Sequence, residues 1–536
     1  MTVLDSHSGA PSTTRGACPG FGEGAPLDLP SLTTDQQTGI LSRLLDGSTD
    51  AFADALASVG NCARPVRLHG SSTTIDTATG EVLSSFSSTD APLGVLLTPC
   101  GNRRAHICPA CSRTYARDTF ELIRSGVTGG KTVPADVAGS PLVFATFTAP
   151  SFGHVHGTRP DGKKCRPRSG DRAERCPHGK RLSCNAVHTD DDPDVGAPLC
   201  WDCYDWTSAV VWQWHAPELW RRTTIALRRA LAAHLGIKER ALKDACSVQF
   251  AKVAEYQVRG LVHFHALIRL DGPTGPGTPA AVDADTLAGL LRDASRTVTV
   301  TAPPTSHTTT DTDGDAARTL AWGTQLDIRT ITHGPTHLRT CDDLTPEQVA
   351  GYLAKYATKD AGTTTDHGAA RAHLRRLIAE CHRLATLAEH RDENRRAHPD
   401  AAPDGVLDGV PVDPNTGLDH YRFLAKWAHM LGFRGHFSTK SRRYSITLGK
   451  LRRARQRYQR LVAHANRTGE PLDTRDLEPR LLADDDHDAT LVIGSWEYAS
   501  TGWPRPGDAT LATAAAARAR EYAQWRAENR TTSPTR

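Results

Sequence analysis

At 536 residues, with 38% hydrophobic residues and a mean hydropathy of −0.43, the chain has enough apolar mass for more than one buried core. No apolar run approaches a membrane span and the first residues lack a signal-peptide pattern, so the expected compartment is the cytoplasm. A formal net charge of +4 excludes a globally basic nucleic-acid binder and leaves local basic clusters to do such work; the 13 cysteines, several closely paired, read as zinc ligands rather than disulfides.

Residues 1–60 read as a Ser/Thr/Gly/Pro-rich tail followed by a helix whose apolar positions include Ile40, Leu44, Phe52 and Leu56. Residues 61–140 form a zinc-knuckle region. Cys108 and Cys111 have half-site spacing, Cys100 is a third ligand, and Cys62 or His106 a fourth. Residues 141–365 are expected to be the central domain, opening on a strand at 142–148. An insertion at 165–203 carries Cys176, Cys184, Cys200 and Cys203, spaced as one four-thiolate zinc site, with Cys165 and His178 in reserve. A long segment with few apolar residues needs a metal to fold, so about two structural zinc ions per chain are expected.

A helical pattern at 216–235 leads to two apolar runs, 248–256 and 261–268, separated by Val258, Arg259 and Gly260. A three-residue hairpin loop ending in glycine pairs Gln257 with Leu261 and Glu255 with His263. Strand alternation then sets Glu255, His263 and His265 on one face and turns Phe264 and Ala266 to the other. Two imidazoles and a carboxylate suit a divalent cation with open positions, Mg²⁺ or Mn²⁺.

Residues 271–320 hold a short helix near 284–296 and a Thr/Asp/Pro surface tract, and 321–331 returns as a strand. Thr345 and Pro346 cap a helix running to about 358, on which Tyr352 and Tyr356 share a face and Lys355 lies close to it. Residues 366–470 form a helical basic region: a helix at 368–390, a linker at 398–417, a helix at 421–431, and the run Lys450–Arg460. Arg452, Arg453, Arg455 and Arg457 there are expected to contact DNA phosphates, a solvated helix face being the plain alternative. Residues 471–536 are a C-terminal extension with a strand near 491–498 and an Ala/Arg-rich helix. No P-loop is present, so any unwinding comes from a partner.

Three of these motifs in order resemble the HUH endonucleases, in particular rolling-circle replication initiators of the two-tyrosine class. They are the strand Phe144–Ser151 with its threonines, His263-Phe264-His265, and Tyr352-Leu353-Ala354-Lys355-Tyr356. More narrowly, Glu255–His265, Trp212–Trp220 and Gly432–Phe437 look like initiators of actinobacterial plasmids and integrative elements. The likeness runs from about Cys100 to Leu451. It implies an α+β protein: an HUH-type antiparallel sheet with the His-x-His strand in the middle and helices on one face, surrounded by zinc-binding insertions and a helical basic C-terminal region. It also implies metal-dependent nicking and joining of origin DNA through a 5′-phosphotyrosyl link, leaving a 3′-hydroxyl primer. Tyr352 is then the preferred first nucleophile, Tyr356 the second, and Lys355 offsets charge or helps to deprotonate the phenol. The implied partners are single-stranded and duplex origin DNA, a host helicase and a polymerase. A conjugative relaxase or a two-tyrosine transposase uses the same chemistry. A non-enzymatic zinc-finger DNA-binding protein, with structural histidines, is the alternative of a different class.

Overall fold

The computed structural model describes residues 31–91, 93–168, 174–305, 317–331, 348–353, 371–398, 406–407, 410–483 and 490–530. It is a mixed α+β structure with antiparallel sheets. The chain divides into two compact units: the described parts of Met1–Ala116 and Asp484–Arg536 form one, and Arg117–Ala483 the other.

The first unit is built from both ends of the chain. Strand Val66–Asp76 pairs antiparallel with Thr490–Thr501 on one side and Val82–Ser87 on the other, and Leu96–Thr98 also pairs with it. Helix Thr34–Leu45 begins at Thr33, which forms a reciprocal capping box with Gln36. Arg43 on that helix forks onto Asp508, at the start of helix Asp508–Arg530, with contacts of 2.5 and 2.6 Å. Both partners are buried, and removing one would strand a buried charge at a cost of about 3–5 kcal/mol.

The second unit is organised on a five-stranded antiparallel sheet in the order Ser438–Lys440, Ser247–Tyr256, Val262–Asp271, Leu142–Phe147, Leu326–Thr330. The His-x-His strand is the middle one. The hairpin that delivers it turns at Gly260, whose φ of +82° is a left-handed value that favours glycine, and Gln257 N–H bonds Leu261 O at 2.9 Å. Gln213, fully buried on helix Trp206–His234, fixes the strand's entry: its amide donates to Gly260 O and its oxygen accepts from Val262 N–H, both at 2.8 Å.

Both faces of this sheet are covered, unlike the one-sided arrangement that the resemblance implies. Val143, Ala145, Phe147, Phe264, Ala266 and Ile268 pack on one face with Trp212, Leu219 and Trp220 of the long helix. Leu142, Phe144, Ala251, Val253 and Leu267 pack on the other with Ile123, Val127, Val349, Leu353 and Tyr444. The physical reason is in the strands themselves, which are apolar at odd and even positions alike; a sheet buried on two sides reads as a continuous apolar run. Truncating Phe264, which is fully enclosed, to alanine would cost about 3–5 kcal/mol.

Other boundaries move for local reasons. The long helix starts at Trp206 rather than 216, since Asp205 caps it by accepting from Ser208 N–H at 2.8 Å and Pro217 is accommodated inside it. The expected strand at 321–331 is two strands, Arg318–Ala321 and Leu326–Thr330. The break falls at Gly323, whose N–H bonds Thr148 O at 2.8 Å and whose backbone lies so near Ala149 O that a Cβ would sit 2.6 Å away. The segment expected as a helix at 421–431 is a 3₁₀ turn, Leu424–Met430, ending on the left-handed residue Leu431. No described helix is long and apolar enough to cross a membrane.

Candidate active site and metal clusters

Register alone assembles the central cluster. Glu255 pairs with His263, and Thr146 with His265, across the middle strand. Glu255 Oε2 lies 3.0 Å from His263 Nε2 and 3.5 Å from His265 Nε2, so one carboxylate oxygen faces both rings. The two imidazole centroids are 4.4 Å apart. Thr146 Oγ1 is 3.0 Å from His265 Nδ1, which leaves Nε2 of that ring turned toward the carboxylate. Burial pushes the His265 pKa below its ordinary value, and Glu255 opposes the shift. A neutral imidazole is the form that ligates a cation. Glu255 and His263 remain partly exposed while His265 is buried, so the cluster opens to solvent on one side. Two nitrogens and a carboxylate oxygen, all mutually within 4.8 Å, fit a divalent metal that retains open coordination positions.

The tyrosine helix covers this face. Residues 348–353 are helical, and Val349, Ala350 and Leu353 are buried against the sheet. Tyr352 lies at the edge of this contact and is 40% exposed. Its ring stands edge-on to His265 at 5.2 Å between centroids and to Phe144 at 5.9 Å. Phe144 in turn stacks on His265 at 5.8 Å. The structure thus brings Tyr352, His265, His263 and Glu255 into one neighbourhood. Lys355 and Tyr356 lie outside the described residues.

Among the described residues, nine thiols and three histidines form three sets of four donors rather than two. Cys62, Cys100, Cys108 and Cys111 converge in the first unit, so Cys62 and not His106 completes that set. Cys62 and Cys108 sulfurs are 3.7 Å apart, and backbone N–H groups of Ala63 and Cys100 donate to the sulfurs of Cys108 and Cys62 at 3.4 and 3.3 Å. Hydrogen bonds with Cys111 and Cys62 hold the Cys108 thiol far below its ordinary pKa, and the same contacts push the thiols of Cys62 and Cys111 up.

In the insertion, Cys176, Cys200 and Cys203 come together with His178, and Cys184 is not among them. Cys184 instead joins His156, Cys165 and His188. The cause is backbone pairing: Arg166 and Cys184 exchange two hydrogen bonds of 2.9 Å, which draws Cys184 toward Cys165. Counting thiols left His178 in reserve and missed His156 and His188; the Cys184-x3-His188 spacing was an available signal.

The basic helix is Leu448–Thr468, capped by Thr447 and closed by Gly469 in the left-handed region. Two of its four expected DNA contacts are already committed. Arg455 pairs with Asp118, and Arg457 donates to Leu481 O and Ala483 O at 3.0 and 2.6 Å. Arg452 and Arg453 are exposed.

A mixed α+β protein with a His-His-Glu cluster at the centre of an antiparallel sheet, and with thiol-rich sets compatible with zinc, is the class these observations define. A family profile described as "Replication initiator protein, pSAM2" (RepSA) matches residues 48–517. The chain is also 41% identical over 465 residues to a "Replication initiator protein" of Streptomyces ambofaciens, an alignment covering 86% of this chain and 88% of that one. The chain belongs to the RepSA family of replication initiator proteins. No solved structure matches it.

Proposed function

We propose that this protein starts plasmid replication by nicking one strand of its origin DNA, as HUH endonucleases do, with Tyr352 as the attacking group. The observation that carries the reading is the placement of an exposed tyrosine ring 5.2 Å from His265, inside the cluster formed with His263 and Glu255. A divalent cation held by those three residues would supply Lewis-acid polarisation of a non-bridging phosphate oxygen.

The residues of the chain do the rest. Thr146 holds the His265 ring, and Glu255 orients both imidazoles. The Tyr352 oxygen attacks phosphorus as its phenolic proton departs; a Tyr–O–P bond forms and the P–O3′ bond breaks. The O3′ takes up a proton and becomes the primer hydroxyl. The phosphodiester is conserved as a phosphotyrosyl ester, so a later attack by a 3′-hydroxyl reseals the strand without a nucleotide. Tyr356 and Lys355, read from the sequence, serve as second nucleophile and nearby cation.

In this reading residues 141–365 are the nicking domain and 366–470 contribute duplex binding, with the exposed Arg452 and Arg453 as phosphate contacts. The Cys62, Cys100, Cys108 and Cys111 set holds a structural zinc. A host helicase and polymerase extend the primer. The deciding experiment incubates the protein with Mg²⁺ or Mn²⁺ and a labelled single-stranded origin oligonucleotide, then denatures it. A labelled protein band that survives denaturant supports the proposal; cleavage with no covalent band would sink it.

A further inference from the structure

The two donor sets of the insertion alternate along the chain. His156 and Cys165 belong to one set, Cys176 and His178 to the other; Cys184 and His188 return to the first, Cys200 and Cys203 to the second. We propose that this segment is a cross-braced two-zinc module. The first and third donor pairs hold one ion, and the second and fourth hold another.

Local backbone structure prepares both sites. Cys165 N–H bonds Ala186 O at 2.8 Å beside the Arg166–Cys184 bridge, which places the two sulfurs of the first site on adjacent backbone segments. His156 is pinned to the far end of the insertion, donating to Ala197 O and accepting from Gly196 N–H, each at 2.9 Å. His188 Nδ1 sits 2.6 Å from Asp192 Oδ2. Its Nε2 therefore points inward, 3.4 Å from Cys184 Sγ and 3.1 Å from His156 Nδ1. A carboxylate on the outer nitrogen is the usual support of a ligating imidazole. Gly157 N–H adds a bond to Cys165 Sγ at 3.2 Å.

In the second site a tight turn from Cys176 to Gly179 presents His178, whose Nδ1 is 3.2 Å from Cys203 Sγ and 3.8 Å from Cys200 Sγ. Little else holds the segment together. Among its described residues from His156 to Cys203, the buried apolar side chains other than cysteine are Val195, Ala197 and Pro198. A chain without a core draws its folding energy from metal ligation. Because the donor pairs interleave, losing either ion frees a loop that the other ion also needs.

The test uses full-length protein purified without chelator, with zinc counted by mass spectrometry and its coordination read by X-ray absorption. With the four-cysteine set of the first unit, three ions per chain are expected, sharing nine sulfur and three nitrogen donors. The averaged shell is then three sulfurs and one nitrogen per zinc. Fewer than two ions, an all-sulfur shell, or two ions whose averaged shell holds three or more sulfurs per zinc, would overturn the module. In a second arm, His156→Ala with His188→Ala should lose at least one zinc, while Cys246→Ser, a buried cysteine outside every set, keeps all three. An unchanged count in the double variant would also overturn it. The wild-type absorption measurement stands even where the variant fails to fold.

Discussion

Thr146 Oγ1 lies 3.0 Å from His265 Nδ1, so a hydroxyl on one strand holds the ring of an imidazole on the next. Thr146→Val keeps the shape and deletes the hydrogen bond. Divalent-metal affinity should fall about 10- to 100-fold, the usual cost of removing such a support, and Thr146→Ser should restore most of it. Calorimetric titration of Mn²⁺ measures both; an affinity unaltered by Thr146→Val would mean the ring is held by packing alone.

His263→Ala and His265→Ala should each abolish nicking while leaving duplex binding in place. The same loss should follow from excess EDTA and be reversed by Mg²⁺ or Mn²⁺. Nicking that persists in the double variant would remove the metal from the mechanism. Circular dichroism guards against misfolding, since the His265 ring is buried and stacks on Phe144 of the sheet core.

Tyr352→Phe removes one oxygen from a ring that otherwise keeps its edge contacts with His265 and Phe144. Stability should change by no more than about 0.5 kcal/mol, as for surface substitutions generally. Covalent capture of the oligonucleotide should drop to the level set by Tyr356. Peptide mapping of the wild-type adduct should place the label on Tyr352. An adduct formed by the Tyr352→Phe, Tyr356→Phe double variant would move the nucleophile elsewhere.

On the basic helix, Arg452→Gln with Arg453→Gln should weaken duplex binding. The salt slope should flatten by about 0.9 log units per lost phosphate contact. Arg455→Gln should act differently: it leaves Asp118 without its partner and lowers stability more than it lowers affinity. Filter-binding at several salt concentrations, together with thermal denaturation, separates the two effects. An unchanged slope in the double variant would reduce the run to a solvated face.

Lys252 is enclosed in the first core, its ammonium 4.1 Å from the Phe264 ring centroid, and burial pushes its pKa down to about 7. The unfolded chain titrates this group near ~10.4. Between those values the unfolded state binds a proton that the folded state does not, so folding stability rises with pH. The contribution is complete above ~10.4 and lost as pH falls to about 7. The slope is about 1.4 kcal/mol per pH unit. Lys252→Met should flatten it and raise the unfolding midpoint most near neutral pH. Denaturant titrations from neutral pH upward would show it; a wild-type slope in the variant contradicts the assignment.

Much of the central cluster was legible because strand geometry is periodic. A glycine at the third loop position fixed the register of Glu255 against His263, and the pairing in the structure is the same. What could not be read locally was set by contacts distant in sequence. Gln213 clamps the hairpin from a helix whose start depends on the Asp205 cap. Cys184 was assigned by spacing to thiols that its backbone bridge to Arg166 carries it away from. The arginines of the basic helix have a sequence pattern that says nothing of Asp118.

The pairing of Arg43 with Asp508, 465 residues apart, also has a kinetic meaning. At roughly 5–20 residues per second, the ribosome delivers the second partner roughly 20 to 90 s after the first. Over that interval the strand Val66–Asp76 waits for Thr490–Thr501 with one edge unpaired. Cys62, Cys100, Cys108 and Cys111 all emerge early, so a zinc bound there would clasp the nascent segment while the rest is made. A chain cut before Thr490 lacks the closing strand and leaves that edge of Val66–Asp76 open to pair with another chain.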